Sequence, residues 1–361
     1  MLDFHPLEVT AVDRIAEDAV CVRLALPESL RGHFKHDAGQ YVTVRRRIGG
    51  QEERRTYSIV TPPGAAELRI GVREQTGGRM SRDLARLAPG ERLEVGTPLG
   101  RFRTTVDASR ARVYVAFAAG SGITPVLSLA ADILSREPAS RFTLIYGNRS
   151  MARTMFLEET LALKNRHLGR FAVHFVMSRE PQHAPLLNGH IDAAKVEALA
   201  AQIPGVARAD EYFVCGPGDM VDAVRGAIRR LNPAAPVRFE RYTGAPATAP
   251  RAPRTGAADL AELPPGEVLA QISVTMDGRR RSFPMAPADG SVLAAAERAG
   301  LELPFSCRAG ICATCRTKVK SGRAIMAHNI ALEPWEVAAG FILCCQARPL
   351  TASLELTYDE K

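Results

Sequence analysis

Cys307-Arg308-Ala309-Gly310-Ile311-Cys312-Ala313-Thr314-Cys315 carries three cysteines at C-x4-C-x2-C, and a fourth, Cys345, follows Cys315 after 29 residues. Four thiolates at this spacing form the ligand set of a [2Fe–2S] cluster. The small residues Ala309, Gly310, Ala313 and Thr314 let the loop close tightly and aim backbone N–H groups at the cluster sulfurs. A zinc site and scattered core thiols are the competing explanations. Structural zinc usually takes two C-x2-C knuckles, and only one stands here. A [2Fe–2S] centre moves single electrons, so the rest of the chain should contain their source.

At 361 residues the chain has room for two or three domains, and 46% hydrophobic with 24% charged residues is an ordinary globular composition. Met1-Leu2-Asp3-Phe4-His5-Pro6 carries no apolar signal-like run, and no apolar stretch reaches membrane-spanning length. The expectation is a cytoplasmic protein with no membrane partner. Cys21, Cys215 and Cys344, the cysteines outside the cluster motif, form no disulfide framework. The formal charge of +8 comes from dispersed arginines with no interleaved stacking aromatics, so no nucleic acid partner is expected.

Residues 1–107 read as an antiparallel β-barrel. Period-two apolar placement predicts strands over Leu7–Val12, Val20–Leu24, Tyr41–Val44, Tyr57–Val60 and Leu68–Val72, with Gly and Pro between them. Within this stretch lies Arg55-Thr56-Tyr57-Ser58. Residues two apart on a strand share a face, so Arg55 and Tyr57 point together and Ser58 points away. An arginine for phosphate and a tyrosine to cover an aromatic ring suit a flavin nucleotide, although a strand arginine is often only a surface charge. The run Gly77-Gly78-Arg79-Met80-Ser81-Arg82 then leads a glycine pair into a short amphipathic helix, which offers N–H groups to a pyrophosphate.

Together these two segments resemble the flavin domain of the ferredoxin–NADP reductase family. The resemblance implies that Arg55, Tyr57 and Ser58 form the flavin-binding strand motif and that Gly78, Arg79, Met80 and Ser81 form the pyrophosphate-binding helix start. The helix start favours FAD over FMN.

From residue 108 to 243 apolar strands alternate with amphipathic helices, the pattern of an α/β domain with a parallel sheet. Strand Val113–Ala118 runs into Ala119-Gly120-Ser121-Gly122-Ile123-Thr124-Pro125 and a helix. Gly120 makes the tight turn, Gly122 permits close backbone approach, and Pro125 sits at the helix start, with Thr124 before it. Strand Phe142–Tyr146 leads to Arg149, and strand Val173–Met177 leads to Ser178-Arg179-Glu180. Ligands bind beyond the carboxyl ends of such strands, where Arg beside Ser suits the 2′-phosphate of NADPH. Ser178 and Arg179 also match the family's NADP-binding pair. Glu180 is an acid near enough to keep NADH open, and Arg179 as a plain surface charge stays an alternative. The resemblance places Cys215-Gly216-Pro217 beside the nicotinamide ring, with Cys215 a small, soft residue and not a nucleophile. It also places Glu240 near the flavin, with Tyr242 or Phe239 bordering the ring. A plain edge strand with exposed charges is the other reading of 237–242.

Residues 244–266 are Ala/Pro-rich without apolar periodicity and read as a linker. In 267–361 a hairpin is expected around Asp277-Gly278, with Ser291 capping a helix Val292–Ala299 that Gly300 ends before the cysteine loop. This order resembles the β-grasp (α+β) fold of plant-type [2Fe–2S] ferredoxins. The family spacing makes Cys345, rather than Cys344, the fourth ligand beside Cys307, Cys312 and Cys315. Arg308 and Arg316 are candidate exposed contacts for a partner.

Domain order and motifs together, including Phe4-His5-Pro6-Leu7 and Tyr146-Gly147-Asn148-Arg149, are similar to the reductase-subunit family of bacterial phenylacetyl-CoA epoxidases. That resemblance implies an NADPH-dependent oxidoreductase passing electrons through FAD and [2Fe–2S] to a separate di-iron oxygenase component. Service to a different oxygenase, a stand-alone diaphorase and a redox-sensing module remain alternatives.

Overall fold

The computed structural model describes residues 3–242 and 270–360. The expected linker, 244–266, lies outside the described residues. Two compact units divide the chain, bounded by Phe4–Pro246 and Ala247–Lys361.

The first unit opens with an all-antiparallel sheet of β1 (Phe4–Ala16), β2 (Ala19–Ala25), β3 (Tyr41–Ile48), β4 (Gln51–Ser58), β5 (Glu67–Arg73) and β6 (Arg92–Gly96), in the order β4-β3-β6-β1-β2-β5. β1 bends between two partners: Phe4–Glu8 pair with β6, and Val9–Ala16 pair with β2 after a register shift. A bridge between Ile59 and Ile70 joins the sheet's two ends and closes the barrel. Val20, Val22, Leu24, Val42, Val44, Leu93 and Val95 fill it.

Two elements depart from the sequence expectation. β4 begins at Gln51 and ends at Ser58, because Gly49 and Gly50, both at positive φ, turn a hairpin whose charged strands pair Arg46 with Glu53 and Arg47 with Glu52. The strand β6 is too short to stand out by periodicity. A short helix α1 (Arg79–Leu84) precedes it.

A parallel sheet follows, made of β7 (Val113–Ala119), β8 (Arg141–Asn148), β9 (Phe171–Met177), β10 (Glu211–Pro217) and β11 (Val237–Tyr242), with α2 (Ile123–Arg136), α3 (Leu157–Arg166), α4 (Ala193–Gln202) and α5 (Gly218–Leu231) between them. The order β11-β10-β7-β8-β9 reverses direction between β7 and β10, which creates a topological switch point at their carboxyl ends.

Barrel and parallel sheet share one core. Ala19 and Cys21, on the outer face of β2, are buried with Ile123, Met155 and Phe156. Gly71 on β5 makes room for this, since a Cβ there would lie 2.7 Å from the Phe156 ring. Around the contact, Asp18 binds Arg73 at 2.8 Å and also Arg153, while Arg69 pairs with Glu159 at 3.0 Å. This packing brings β4 of the barrel to the switch point.

The second unit is a five-stranded mixed sheet, β13-β12-β18-β14-β16, of β12 (Ala270–Met276), β13 (Arg279–Met285), β14 (Arg316–Ser321), β16 (Phe341–Leu343) and β18 (Ser353–Thr357), with a small ladder of β15 (Ala324–Met326) and β17 (Ala347–Pro349). Asp277 and Gly278, both at positive φ, turn the hairpin. Helix α6 (Val292–Arg298) is capped by Ser291, whose Oγ accepts from Ala294 N–H at 3.2 Å. A second helix, α7 (Pro334–Ala338), precedes β16. Among the described residues no helix is long and apolar enough to cross a membrane.

Candidate functional site

The switch point is built from backbone that tolerates no added atoms. A Cβ on Gly122 would lie 2.1 Å from the carbonyl oxygen of Cys215, and one on Gly216 would lie 2.6 Å from Met220 Cε. Gly120 turns at φ +55, and Tyr146 Oη donates to its carbonyl at 3.0 Å. Thr124 and Pro125 are buried in the first turn of α2. The glycine turn and Cys215-Gly216-Pro217, distant in sequence, therefore meet at the ends of β7 and β10.

On these ends sits a polar cluster that sequence spacing could not assemble. Tyr242, at the end of β11, places its hydroxyl 2.8 Å from Ser58 Oγ at the end of β4. The side chains of Thr124 and Cys215 lie beside the same hydroxyl. Burial pushes the Cys215 thiol up, and the neighbouring Glu240 pushes it further, so it stays protonated. Burial also pushes the Glu240 carboxyl up to about 8. Phe239, the other candidate to border the flavin, lies instead beneath Arg225 at 3.8 Å and packs on the α5 side of the sheet. Side chains alternate along β11, which puts Glu240 and Tyr242 on the face opposite Phe239.

The Glu240 shift predicts a pH effect on stability. A carboxyl whose folded pKa exceeds its unfolded value retains a proton that the unfolded chain has already released. Between about pH 4.5 and 8 native stability therefore falls as pH rises, and above 8 the loss is constant. Glu240→Gln cannot ionise, so its Tm relative to wild type should rise across this window. A Tm difference that stays flat from pH 5 to pH 9 would contradict the burial of this carboxyl.

The barrel residues predicted to meet a flavin gather around one acid that the sequence reading missed. Glu53 Oε2 pairs with Arg55 at 3.0 Å and Oε1 pairs with Arg79 at 3.2 Å, while the Glu53 side chain is only 11% exposed. Glu53, Arg55 and Tyr57 alternate along β4, and the Tyr57 phenol is held up by burial against the pull of Arg55. A site where one carboxylate already collects two guanidinium groups fits a pyrophosphate. Met80 and Ser81 are buried, Gly78 N–H donates to Gln75 O at 2.9 Å, and a Cβ on Gly78 would lie 2.7 Å from Ser81 Oγ, so the turn into α1 needs glycine there. The paired charges at register positions 46, 47, 52 and 53 were the available signal for Glu53, once Gly49-Gly50 is read as a hairpin turn.

At the outer sheet strands, Ser178 N–H donates to Asn148 O and Arg179 N–H donates to Arg149 O, both at 2.9 Å. This sets exposed Arg149 and Arg179 side by side beyond β8 and β9. Glu180, the acid that left NADH open, is engaged elsewhere: its Oε2 accepts from Met151 N–H at 2.8 Å.

In the second unit the four predicted thiols come together as two pairs. Cys307 lies beside Cys312 and Cys315 beside Cys345, and the two pairs are close enough to influence each other. No three metal-ligating groups converge on a single point among the described residues. Two thiols for each of two irons match a [2Fe–2S] rhomb, whereas zinc needs four ligands on one centre. Ala309 and Ile311 N–H groups point at Cys307 Sγ at 3.4 and 3.5 Å. The thiol of Cys344 turns away into the core, towards Tyr358. Arg308 is exposed and paired with Glu297 at 2.6 Å. Arg316 departs from expectation: its side chain is 11% exposed, stacked 3.4 Å over Phe341 and paired with buried Glu336 at 2.9 Å. It braces the loop and offers no docking surface.

Comparison with known proteins agrees with this division. Residues 6–104 match the oxidoreductase FAD-binding domain family, 117–226 the oxidoreductase NAD-binding domain family, and 274–350 the 2Fe-2S iron-sulfur cluster binding domain family. The chain is 37% identical to one of the subunits of the 1,2-phenylacetyl-CoA epoxidase of Escherichia coli, over 100% of this chain and 99% of that protein. It is 30% identical to the ferredoxin reductase component of the 3-ketosteroid-9-alpha-monooxygenase of Rhodococcus rhodochrous, over 98% and 96%. Among solved structures, phthalate dioxygenase reductase, described as modular for electron transfer from pyridine nucleotides to [2Fe-2S], aligns over 98% of both chains with a TM-score of 0.58 and 25% identity.

Proposed function

This chain belongs to the ferredoxin-reductase family of oxygenase reductase components, with FAD-, NAD- and 2Fe-2S-binding domains in one polypeptide, and on that premise we propose that it carries electrons from NADPH through FAD and [2Fe–2S] to a phenylacetyl-CoA epoxidase. The observation that carries the redox part is the meeting of flavin strand and switch point in one rigid core, through Ser58 and Tyr242. The full-length identity to the Escherichia coli protein carries the choice of acceptor.

Arg55 and Arg79 would hold the FAD pyrophosphate, with Tyr57 against the ring and the start of α1, from Gly78 to Ser81, beside the phosphates. Cys307, Cys312, Cys315 and Cys345 would hold the cluster. FAD supplies the conversion of a hydride pair into single electrons, and the cluster relays them. The protein's part is placement. Gly120, Gly122, Thr124, Pro125, Gly216 and Pro217 shape the cleft in which a nicotinamide approaches the flavin strand. Cys215, kept as a neutral thiol, adds no charge at that point, and neutral Glu240 supplies a proton donor there below about pH 8.

The two arginines and the engagement of Glu180 support NADPH over NADH. A guanidinium bonded to phosphate contributes about 1.5–3 kcal/mol. Arg179→Ala or Arg149→Ala should therefore lower kcat/KM for NADPH about 10- to 100-fold while leaving that for NADH nearly unchanged. Equal losses with both nucleotides would sink the assignment.

The acceptor is tested by mixing the purified chain with the epoxidase's catalytic component, phenylacetyl-CoA, O2 and NADPH. NADPH-driven consumption of the thioester is expected. A second reading, service to another multicomponent oxygenase, is favoured by the identity to the 3-ketosteroid monooxygenase component. No turnover with the epoxidase, and turnover with such an oxygenase, would transfer the assignment.

A further inference from the structure

Gln346 follows the fourth thiol directly, and a glutamine there would ordinarily reach into water. Instead it is 8% exposed. Its backbone is held on both sides: its N–H donates to Leu343 O at 2.9 Å, and its carbonyl accepts from Ala327 N–H at 3.0 Å. The side-chain stem runs across the cysteine loop where Gly310, at φ +72, leaves space; a Cβ there would lie 3.1 Å from Gln346 Cγ. The carboxamide Nε2 then donates to Arg308 O at 2.8 Å and faces Cys345 Sγ at 3.6 Å. The NH2 group has two hydrogens, so both contacts are made at once. The opposite amide orientation would set two carbonyl oxygens 2.8 Å apart, which fixes the NH2 end toward the loop.

This position has two consequences. Arg308 sits at φ 53, a left-handed conformation that is strained for a non-glycine residue. The hydrogen bond from Gln346 to its carbonyl offsets part of that strain. The second consequence is electronic. On reduction a [2Fe–2S] centre gains one electron, which raises the negative charge on its sulfurs, and an N–H donor stabilises that form more than the oxidised one.

We propose that Gln346 is a positioning residue of the cluster, clamping the Arg308 turn and raising the cluster's reduction potential through its N–H donor to the Cys345 sulfur. This rests on the reading of the four thiolates as a [2Fe–2S] site. The electron concerned comes from the reduced flavin and leaves to the oxygenase component, so the potential sets how far the flavin–cluster equilibrium lies toward reduced cluster.

The test is a spectroelectrochemical titration of the full-length holoprotein, with EPR of the reduced cluster and iron content as readouts. Gln346→Met keeps the stem and removes the donor; Gln346→Glu also adds negative charge. Both are expected to retain the cluster with a more negative potential, the glutamate variant more so. The Met variant should disfavour reduced cluster about tenfold, which for a one-electron couple is about 59 mV. An assembled cluster at the wild-type potential in both variants would overturn the proposal. So would loss of the cluster from both, because the role would then be structural alone. Wild-type protein lacking iron and the EPR signal would instead refute the cluster reading itself.

Discussion

Cys345→Ser is expected to abolish the visible absorption and EPR signal of the reduced cluster, whereas Cys344→Ser should retain both. The two cysteines are adjacent in the turn that follows β16, and their side chains point to different surroundings. Cys345 lies beside Cys315 and completes the second thiol pair. Cys344 turns into the core beside Tyr358, where burial pushes the thiol up to about 12 and keeps it protonated. A serine in place of Cys344 removes no thiol from the ligand set and sits beside Tyr358 in the core. In place of Cys345 it removes a soft thiolate ligand that iron–sulfur chemistry requires. The flavin lies in the other unit, so NADPH-driven flavin reduction should survive Cys345→Ser while transfer to an oxygenase falls to background. Cluster loss in the Cys344 variant with retention in the Cys345 variant would reverse the ligand assignment.

Gly122→Ala should be strongly damaging to the first unit. Its Cβ would lie 2.1 Å from Cys215 O and 2.6 Å from Cys215 C, and both neighbours are backbone of a buried strand that cannot swing aside. Overpacking of this kind costs about 3 kcal/mol, which for a unit of this size lowers Tm by roughly 6–12 °C. The same shift separates the glycine turn from Cys215-Gly216-Pro217, so NADPH affinity should fall at least tenfold while FAD content changes less. Gly169→Ala, at a position with nothing within 4 Å, is the control and should leave both unchanged. Wild-type Tm and affinity in Gly122→Ala would show that β7 and β10 are not packed in this way.

The parts of the site that could be read from the chain are those in which residues a few positions apart act together. C-x4-C-x2-C lies in one loop, Gly120 to Pro125 in one strand-to-helix turn, and Arg55 to Ser58 on one strand. The Asp277-Gly278 hairpin and the Ser291 cap are local in the same way. Glu53 was hidden because its strand is polar and its value lies in two arginines that converge on it, one of them from α1. Arg316 looked like a surface charge because nothing near it in sequence predicts that Phe341 and Glu336 will cover it.

Sequence by itself determined the cofactor classes, the order of the folds and the four candidate cluster thiols, because ligand spacing and hydrophobic period are set by local backbone geometry. Tertiary structure decided where the Cys344 thiol is buried, whether Phe239 or Tyr242 meets Ser58, and how Glu180 is employed. Those choices depend on which face of a strand turns inward and on contacts between residues as far apart as Ser58 and Tyr242. Only the packing of barrel against parallel sheet, and of the cysteine loop against Gln346, fixes them.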